Sequence, residues 1–564
     1  MHFLQFVLGR TASARRLMGL SVVVGAVAGL SSVSLLALVH RSIEGLDGPS
    51  FASVGLIFAG LCGLVTLARV GSLASLSLLG QGLVKELRIE LSRRMLATPL
   101  ARLEELGAHR LLATLTDDVN SLTQALMIVP TLTVNGTIVI GCFAYLAHLD
   151  AQLFLMLLGV VALGMVSYRL PATFGIRKFR EAREEQDDLF DHFRSLTGGI
   201  KELKLHRRRR NGFARLLEAT TERVRHLRVT AVVVYGTAAA WGHLLFFVVI
   251  GVLLFARPAF IEAGREVLTG YTLVLLYMMG PLQGLLDAMP NLGRAGVAVD
   301  KIRNLGLELA PAGGGDLASP EGDGTKEPPF RRIELAGVAH TYRRAGRDLD
   351  FHLGPVDLTL EPGEVVFLVG GNGSGKTTLA KILVGLYRAE SGQIRVDGNP
   401  VDGDRLDDYR QLFSVVFGDF YLFEQLLGLE GPDLEERAGR YLQELRIDDK
   451  VEVRDGRLST TELSQGQRKR LALLTAYLED RPVYLFDEWA ADQDPVFKEV
   501  FYREILAELR RRGKAVVVIS HDDRYYHLAD RVVKLVDGRV DHDGPHVPAA
   551  AGADREVTPP APRV

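Results

Sequence analysis

Two cysteines in 564 residues, Cys62 and Cys142, are too few for a disulfide framework, and both lie inside apolar runs. A thiolate zinc site is disfavoured on the same ground, and buried thiols are the plain reading. Charge excess is missing too: 66 Lys and Arg stand against 68 Asp and Glu, a net charge of −2. No bulk field draws nucleic acid to such a chain. Internal repeats are lacking as well. Apolar residues are abundant instead: 48 % of the chain is hydrophobic and mean hydropathy is +0.14, although 24 % is charged. A lipid-facing part joined to a water-soluble part gives that combination, and the length suits more than one domain.

Six stretches reach the roughly 20 apolar residues a transmembrane helix needs: about 17–39, 53–79, 124–148, 151–170, 230–256 and 267–290. The first follows Arg10, Arg15 and Arg16, but its apolar core is too long for a secretory signal and no cleavage site follows. Segment 80–123 carries Lys85, Arg88, Arg93, Arg94, Arg102 and Arg110, and segment 171–228 carries the run Arg207–Arg210. The loops at 40–52 and 148–150 hold almost no Lys or Arg. The positive-inside rule then puts both long loops and both termini in the cytoplasm. Leu83, Leu87, Leu91 and Met95 recur every four residues, and Leu189, Phe193 and Leu196 form a second stripe, so both loops are expected to be helical. Breaks are expected at Pro99–Gly107 and at Gly198–Gly199 with the basic block Arg207–Arg210. Arg69, Asn135, His243 and Asp287 are polar groups in or near the spans, where such groups are costly and often functional. The plain reading differs for each: Arg69 snorkels or pairs, Asn135 bonds between helices, His243 packs and Asp287 already lies in the cytoplasm, so none is assigned as a site.

The stretch 311–329 is rich in Pro, Gly, Ala and acids and reads as a linker; the tail after about 546 reads the same way. The expected division is a membrane domain at 1–305, a linker at 306–330, a soluble domain at 331–545 and a disordered tail at 546–564.

The soluble domain carries Gly370-Gly371-Asn372-Gly373-Ser374-Gly375-Lys376-Thr377-Thr378 between an apolar strand and a helix. Glycines let backbone N–H groups turn around phosphates, and the helix N-terminus adds its dipole. Lys376 is placed to reach the β- and γ-phosphates and Thr377 to ligate Mg²⁺. Downstream, VYLFDE ends a strand on Asp487 and Glu488. Holding a metal and polarising a water need separate oxygens a few ångströms apart, which an adjacent pair supplies; phosphoryl transfer depends on such positioning.

Leu463-Ser464-Gln465-Gly466-Gln467 resembles the signature motif of ATP-binding cassette (ABC) proteins. His521 after a strand resembles that family's switch histidine, Asp494 its inter-subunit aspartate, and Tyr342 its adenine-stacking aromatic. The resemblance covers about 331–545, and PLARLEELGAHRLLATLTDDVN, with Gly107 and Asp118, extends it into the first half. It implies an all-α membrane domain of six long helices (the type I ABC exporter fold) plus an α/β P-loop NTPase cassette. It also implies ATP and Mg²⁺ as cofactors and a homodimer with two ATP molecules. Each ATP then lies between one phosphate loop and the Ser464, Gly466 and Gln467 of the other copy. Glu488 and His521 are the implied catalytic residues, and Thr377 and Asp487 the metal ligands. Short coupling helices are expected near 100–106 and 205–213, each resting on a cassette.

Two departures stand out. Where the family carries a glutamine, in the loop that contacts the membrane domain, this chain has Gly418 followed by Asp419. EWAADQDP, 488–495, replaces the small residues of most exporters. Together with FGDFYLF this resembles the exporters of cyclic peptides and siderophores, of the syringomycin and pyoverdine type. The expected function is export of such a peptide across a bacterial inner membrane; a lipid or multidrug flippase, or an ATP-binding membrane sensor, are the alternatives.

Overall fold

The computed structural model describes residues 12–45, 51–255, 264–309, 330–342, 351–403 and 405–545. The expected linker at 311–329 and the tail after 546 lie outside them. Internal contacts divide the chain into two units, residues 1–88 with 114–303 and residues 89–113 with 304–564.

Among its described residues the first half is helical. Its long helices are α1 (Ala12–Ile43), α2 (Phe51–Ala97), α4 (Ile128–Leu149), α5 (Ala151–Gly198), α7 (Arg207–Phe255) and α8 (Arg265–Glu308). Between them sit the short helices α3 (Leu100–Leu106) and α6 (Ile200–Leu205). Each of the six apolar stretches falls in this helical set. By length and composition, three described helical segments suffice to cross a membrane: Ser13–Ile43, Ala52–Ala97 and Ala108–Leu149. Ala151–Ala162 and Ala240–Phe255 are shorter apolar helices. At 1.5 Å per residue, the 48 residues of α5 reach about 70 Å, over twice the roughly 30 Å hydrocarbon core. The amphipathic loops of the sequence are therefore continuations of apolar helices.

Both expected breaks are present. Pro99 precedes α3, and Gly107 closes it at φ 78°, a conformation glycine adopts without a Cβ penalty. The second short helix is displaced from the expected 205–213. It occupies Ile200–Leu205, His206 is extended, and the arginine run already belongs to α7. The Gly198–Gly199 pair ends α5, so the break comes early.

Among its described residues the second half holds three sheets, the smallest a hairpin of β7 (Val453–Arg454) and β8 (Arg457–Leu458). A six-stranded sheet has the order β12-β11-β3-β10-β9-β6, and a four-stranded antiparallel sheet the order β2-β1-β4-β5. In the first, β3 (Val365–Gly370), β6 (Phe413–Val416), β9 (Val483–Asp487), β10 (Ala515–Ile519) and β11 (Arg531–Val536) run parallel. Only β12 (Arg539–Gly544) runs against them. Strands such as Ala515-Val-Val-Val-Ile519 are buried along their whole length, as continuous apolar runs in parallel sheets are. The second sheet comprises β1 (Ile333–Tyr342), β2 (Phe351–Leu360), β4 (Ser391–Val396) and β5 (Asn399–Pro400). Helices α9 (Lys376–Leu383) and α10 (Gln465–Glu479) flank the parallel sheet.

Candidate functional site

Register brings the candidate residues to one edge. Ile519 of β10 pairs with Leu368 of β3 on one side and with Asp487 of β9 on the other. The phosphate-loop strand and the acidic strand are thus parallel but not adjacent: the strand leading to His521 lies between them. All three end together, at the carboxyl edge where ligands bind open α/β sheets.

The loop after β3 is shaped by glycine. Gly370, Gly373 and Gly375 have φ of 151°, 78° and 99°. A Cβ on Gly370 would stand 2.3 Å from the Leu535 carbonyl oxygen, so no larger residue fits. Lys376 is buried, and its Nζ donates to the Gly370 and Gly371 carbonyls at 3.0 Å each. Burial lowers its pKa, opposed by the charges of Glu488 and Asp487. Tyr342, Phe351, Asn372, Gly373, Gly375, Lys376, Thr377, Thr378 and Glu488 line one cleft of about 380 Å³. Phe351 escaped sequence reasoning; a lone aromatic opening a strand carries no motif.

Asp487 is 4 % exposed, and burial above all raises its pKa. A hydrogen bond from Thr377 opposes that shift, while Glu488 and Asp419 add to it. The Oδ1 of Asp487 and the Oγ of Ser374 are buried without a hydrogen-bond partner. Orphaned buried oxygens require a reason, and a hard, oxygen-seeking cation supplies one. Among the described residues no group of three His, Cys, Asp or Glu forms a metal cage. The orphaned oxygens fit Mg²⁺, a hard cation bound through few protein ligands.

Glu488 adopts a left-handed backbone, φ 49° and ψ 32°. Its N–H donates to the Ile519 carbonyl at 3.0 Å, and its Oε1 lies 3.0 Å from His521 Nε2. Both side chains stay partly open to solvent.

Ser464, Gly466 and Gln467 do not line the cleft. Ser464 caps α10, accepting from the Gln467 N–H, while the Gln467 side chain accepts from the Ser464 N–H: a capping box. Gly466 packs so closely that a Cβ would stand 2.9 Å from the Asp492 carbonyl oxygen. Asp494 caps the following helix through the Phe497 N–H and pairs with Arg470. The Phe497 N–H, then Arg470, hold its carboxyl below the usual range.

Gly418 has room: its nearest neighbour for an added Cβ is the Asp487 carbonyl oxygen at 3.7 Å. Asp419 is exposed but near enough to Asp487 to raise its pKa. Gly418→Ala is accordingly expected to shift Tm by less than about 2 °C in a thermal melt, since it adds a methyl in open space.

Helix α3 shows a link the sequence did not. Glu104 accepts from Lys381 Nζ at 2.8 Å and from the Tyr387 hydroxyl. Lys381 belongs to α9, the helix opened by the phosphate loop. Leu100 and Ala101 pack against the apolar core beneath. In the other unit, His243, Gln283 and Leu286 share an otherwise apolar cavity of about 200 Å³. Asp287 accepts from Gln283 at 3.2 Å, Asn135 packs against Gly284, and Arg69 is exposed.

Comparisons with known proteins agree with this geometry. The ABC transporter family model matches residues 353–491, and the ABC transporter transmembrane region matches 17–282. The chain is 37 % identical over 540 residues to the ATP-binding protein SyrD of Pseudomonas syringae pv. syringae, covering 93 % of each. It is 26 % identical to an ATP-dependent lipid A-core flippase of Ralstonia nicotianae, covering 93 % of this chain and 89 % of that one. A flippase of the same name from Cupriavidus metallidurans is 28 % identical over 85 % and 82 %. The chain belongs to the ABC transporter family, an exporter in which a helical membrane region and an ATP-hydrolysing cassette are fused in one polypeptide.

Proposed function

We propose that the chain is one half of a homodimeric exporter that moves a cyclic or modified peptide, or a siderophore, across a bacterial inner membrane. The cargo reading rests on one observation: the segment EWAADQDP, with the FGDFYLF loop, in a chain 37 % identical to SyrD along nearly its whole length. Six spans, in α1, α2, α4, α5, α7 and α8, carry the membrane domain of residues 1–305. The cassette of residues 331–545 and both termini face the cytoplasm, where the basic segments 80–123 and 171–228 belong.

In the mechanism, Tyr342 stacks on adenine while Gly370–Gly375 and the α9 N-terminus bind the phosphates through backbone N–H groups. Lys376 exchanges its two carbonyl partners for phosphate oxygens, a stronger, charge-assisted bond. Thr377 and Asp487 would hold Mg²⁺, which would supply positive charge to offset that of the phosphates. Glu488 polarises the attacking water, and His521, hydrogen-bonded to it, contacts the γ-phosphate. Ser464, Gly466, Gln467 and Asp494 complete the site of the second copy. Two bound ATP molecules close the dimer because ATP has higher affinity for the closed state.

Glu104 carries part of the coupling that a glutamine at 418 would otherwise provide. Glu104→Ala is expected to leave basal ATP turnover within about threefold and to abolish its stimulation by cargo. Glu104 also accepts from the buried Tyr387 hydroxyl, so the variant is expected to lower Tm as well. Cyclic lipopeptide, linear peptide and lipid A are the probes for ATPase stimulation in nanodiscs. Stimulation by cyclic lipopeptide supports the reading. Stimulation by lipid A alone supports a flippase, which the 26–28 % identical lipid A-core flippases favour.

A further inference from the structure

Lys469 is the fifth residue of α10, and its side chain is only 3 % exposed. A buried ammonium must be paired. Its Nζ lies 2.7 Å from Asp492 Oδ2 and donates at 2.8 Å to the backbone carbonyl of Glu488. The carbonyl of Lys469 in turn accepts from Trp489 Nε1 at 2.8 Å. Residue 469 thus grips the chain on both sides of the Glu488–Trp489 peptide.

That peptide needs holding. Glu488 has φ 49°, a conformation that costs a non-glycine residue energy and persists only where the surroundings over-determine it. Ile519 takes its N–H and Lys469 its carbonyl, so both flanking peptides are pinned and the carboxylate is aimed at the cleft and His521. The same helix is stitched to the turn again. Gln465 donates to Asp492 at 3.1 Å, and Gln493 donates to the Gly466 carbonyl at 3.0 Å. Trp489 stacks on Phe501 at 4.5 Å between ring centres, which anchors the turn in the core.

We propose that Lys469, with Asp492 as its counter-ion, is a positioning residue for ATP hydrolysis. It fixes the backbone at Glu488 and ties that setting to the Ser464 end of α10. The two ends serve different nucleotides in the proposed dimer, Glu488 this copy's and Ser464 the partner copy's. The clamp thus joins, within one chain, groups that serve both sites of that dimer. This rests on the reading of Glu488 as the group that polarises water.

Steady-state ATPase, binding of a fluorescent ATP analogue and Tm, all on the full-length chain in nanodiscs, test it. Lys469→Met keeps the side chain's length without its donor, and Asp492, 40 % exposed, can turn to water. The expected result is a fall in kcat of at least 10-fold with KM and analogue affinity within twofold, since a misplacement of about 1 Å can cost 10²-fold. Lys469→Arg restores a donor and keeps kcat within about fivefold of the parent. Asp492→Ala leaves the ammonium without its carboxylate and lowers Tm. Lys469→Met combined with Asp492→Ala recovers Tm but not kcat, which separates positioning from scaffolding. Parental kcat in Lys469→Met overturns the proposal, as does a double variant that recovers kcat together with Tm, or an Arg variant as slow as Met. Glu488→Gln is the control: if it retains turnover, the reading of Glu488 fails; if it is inactive while Lys469→Met is normal, the clamp alone fails.

Discussion

Glu488→Gln is expected to cut ATP turnover by about 10²–10⁴-fold, the range a positioned general base contributes, while ATP stays bound. Glutamine keeps the shape of the side chain and its capacity to hydrogen-bond His521, now 3.0 Å from the Glu488 carboxylate. It removes the charge that draws a proton from water. The left-handed backbone is unaffected, because both flanking peptides are held by Ile519 and Lys469. Binding and chemistry therefore separate: kcat collapses, analogue affinity stays within about threefold, and an ATP-loaded dimer accumulates on a sizing column. Parallel loss of affinity and turnover would instead assign Glu488 to nucleotide binding.

Asp487→Asn is expected to act in opposite directions on activity and stability. Turnover in Mg²⁺ falls by at least about 10²-fold, because an amide replaces the buried charged ligand. Stability without nucleotide rises. Burial, with Glu488 and Asp419 nearby, raises the Asp487 pKa above its ordinary value, so the folded state disfavours the ionised carboxylate. A group raised in this way stabilises the fold only while protonated, and that contribution is lost as pH rises through its folded value. At neutral pH the parent bears a penalty that asparagine lacks. The nucleotide-free Asn variant is therefore expected to melt above the parent at neutral pH. The gain shrinks toward zero below about pH 4, where the unfolded parent carboxylate is protonated too. Added Mg²⁺ and ATP reverse the order, raising Tm more for the parent. Melts across pH, with and without nucleotide, check each arm.

Much of this site is legible in the sequence because its chemistry is local. Val365–Gly370 and Val483–Asp487 are continuous apolar runs that can only be buried strands, and each empties into a motif whose spacing is set by phosphate geometry. The long helices are legible for a similar reason: Leu83, Leu87 and Leu91 continue one face from the apolar stretch before them, and all three are buried. Strand order is less accessible. That β10 separates β3 from β9 depends on pairings far apart in sequence. Lys469 was hidden for a sharper reason. In Arg468-Lys469-Arg470 three cations in a row read as a solvated face, and only the return of the 489–492 turn buries the middle one. Glu104 belongs to the same class, a carboxylate on a short helix whose partners lie about 280 residues away. The second short helix occupies Ile200–Leu205 and not 205–213 because the arginine run continues as the first turn of α7.

The central claim is that ATP energy captured between β3, β9 and β10 is transmitted to helices in a bilayer. Proteoliposomes with the cassette outward, given ATP, Mg²⁺ and a fluorescent cyclic lipopeptide, test it most directly. The account predicts ATP-dependent accumulation of the peptide inside, lost in Glu488→Gln and sharply reduced in Glu104→Ala. ATP turnover that proceeds at the same rate with and without lipid and peptide, with no accumulation in any vesicle, would contradict it.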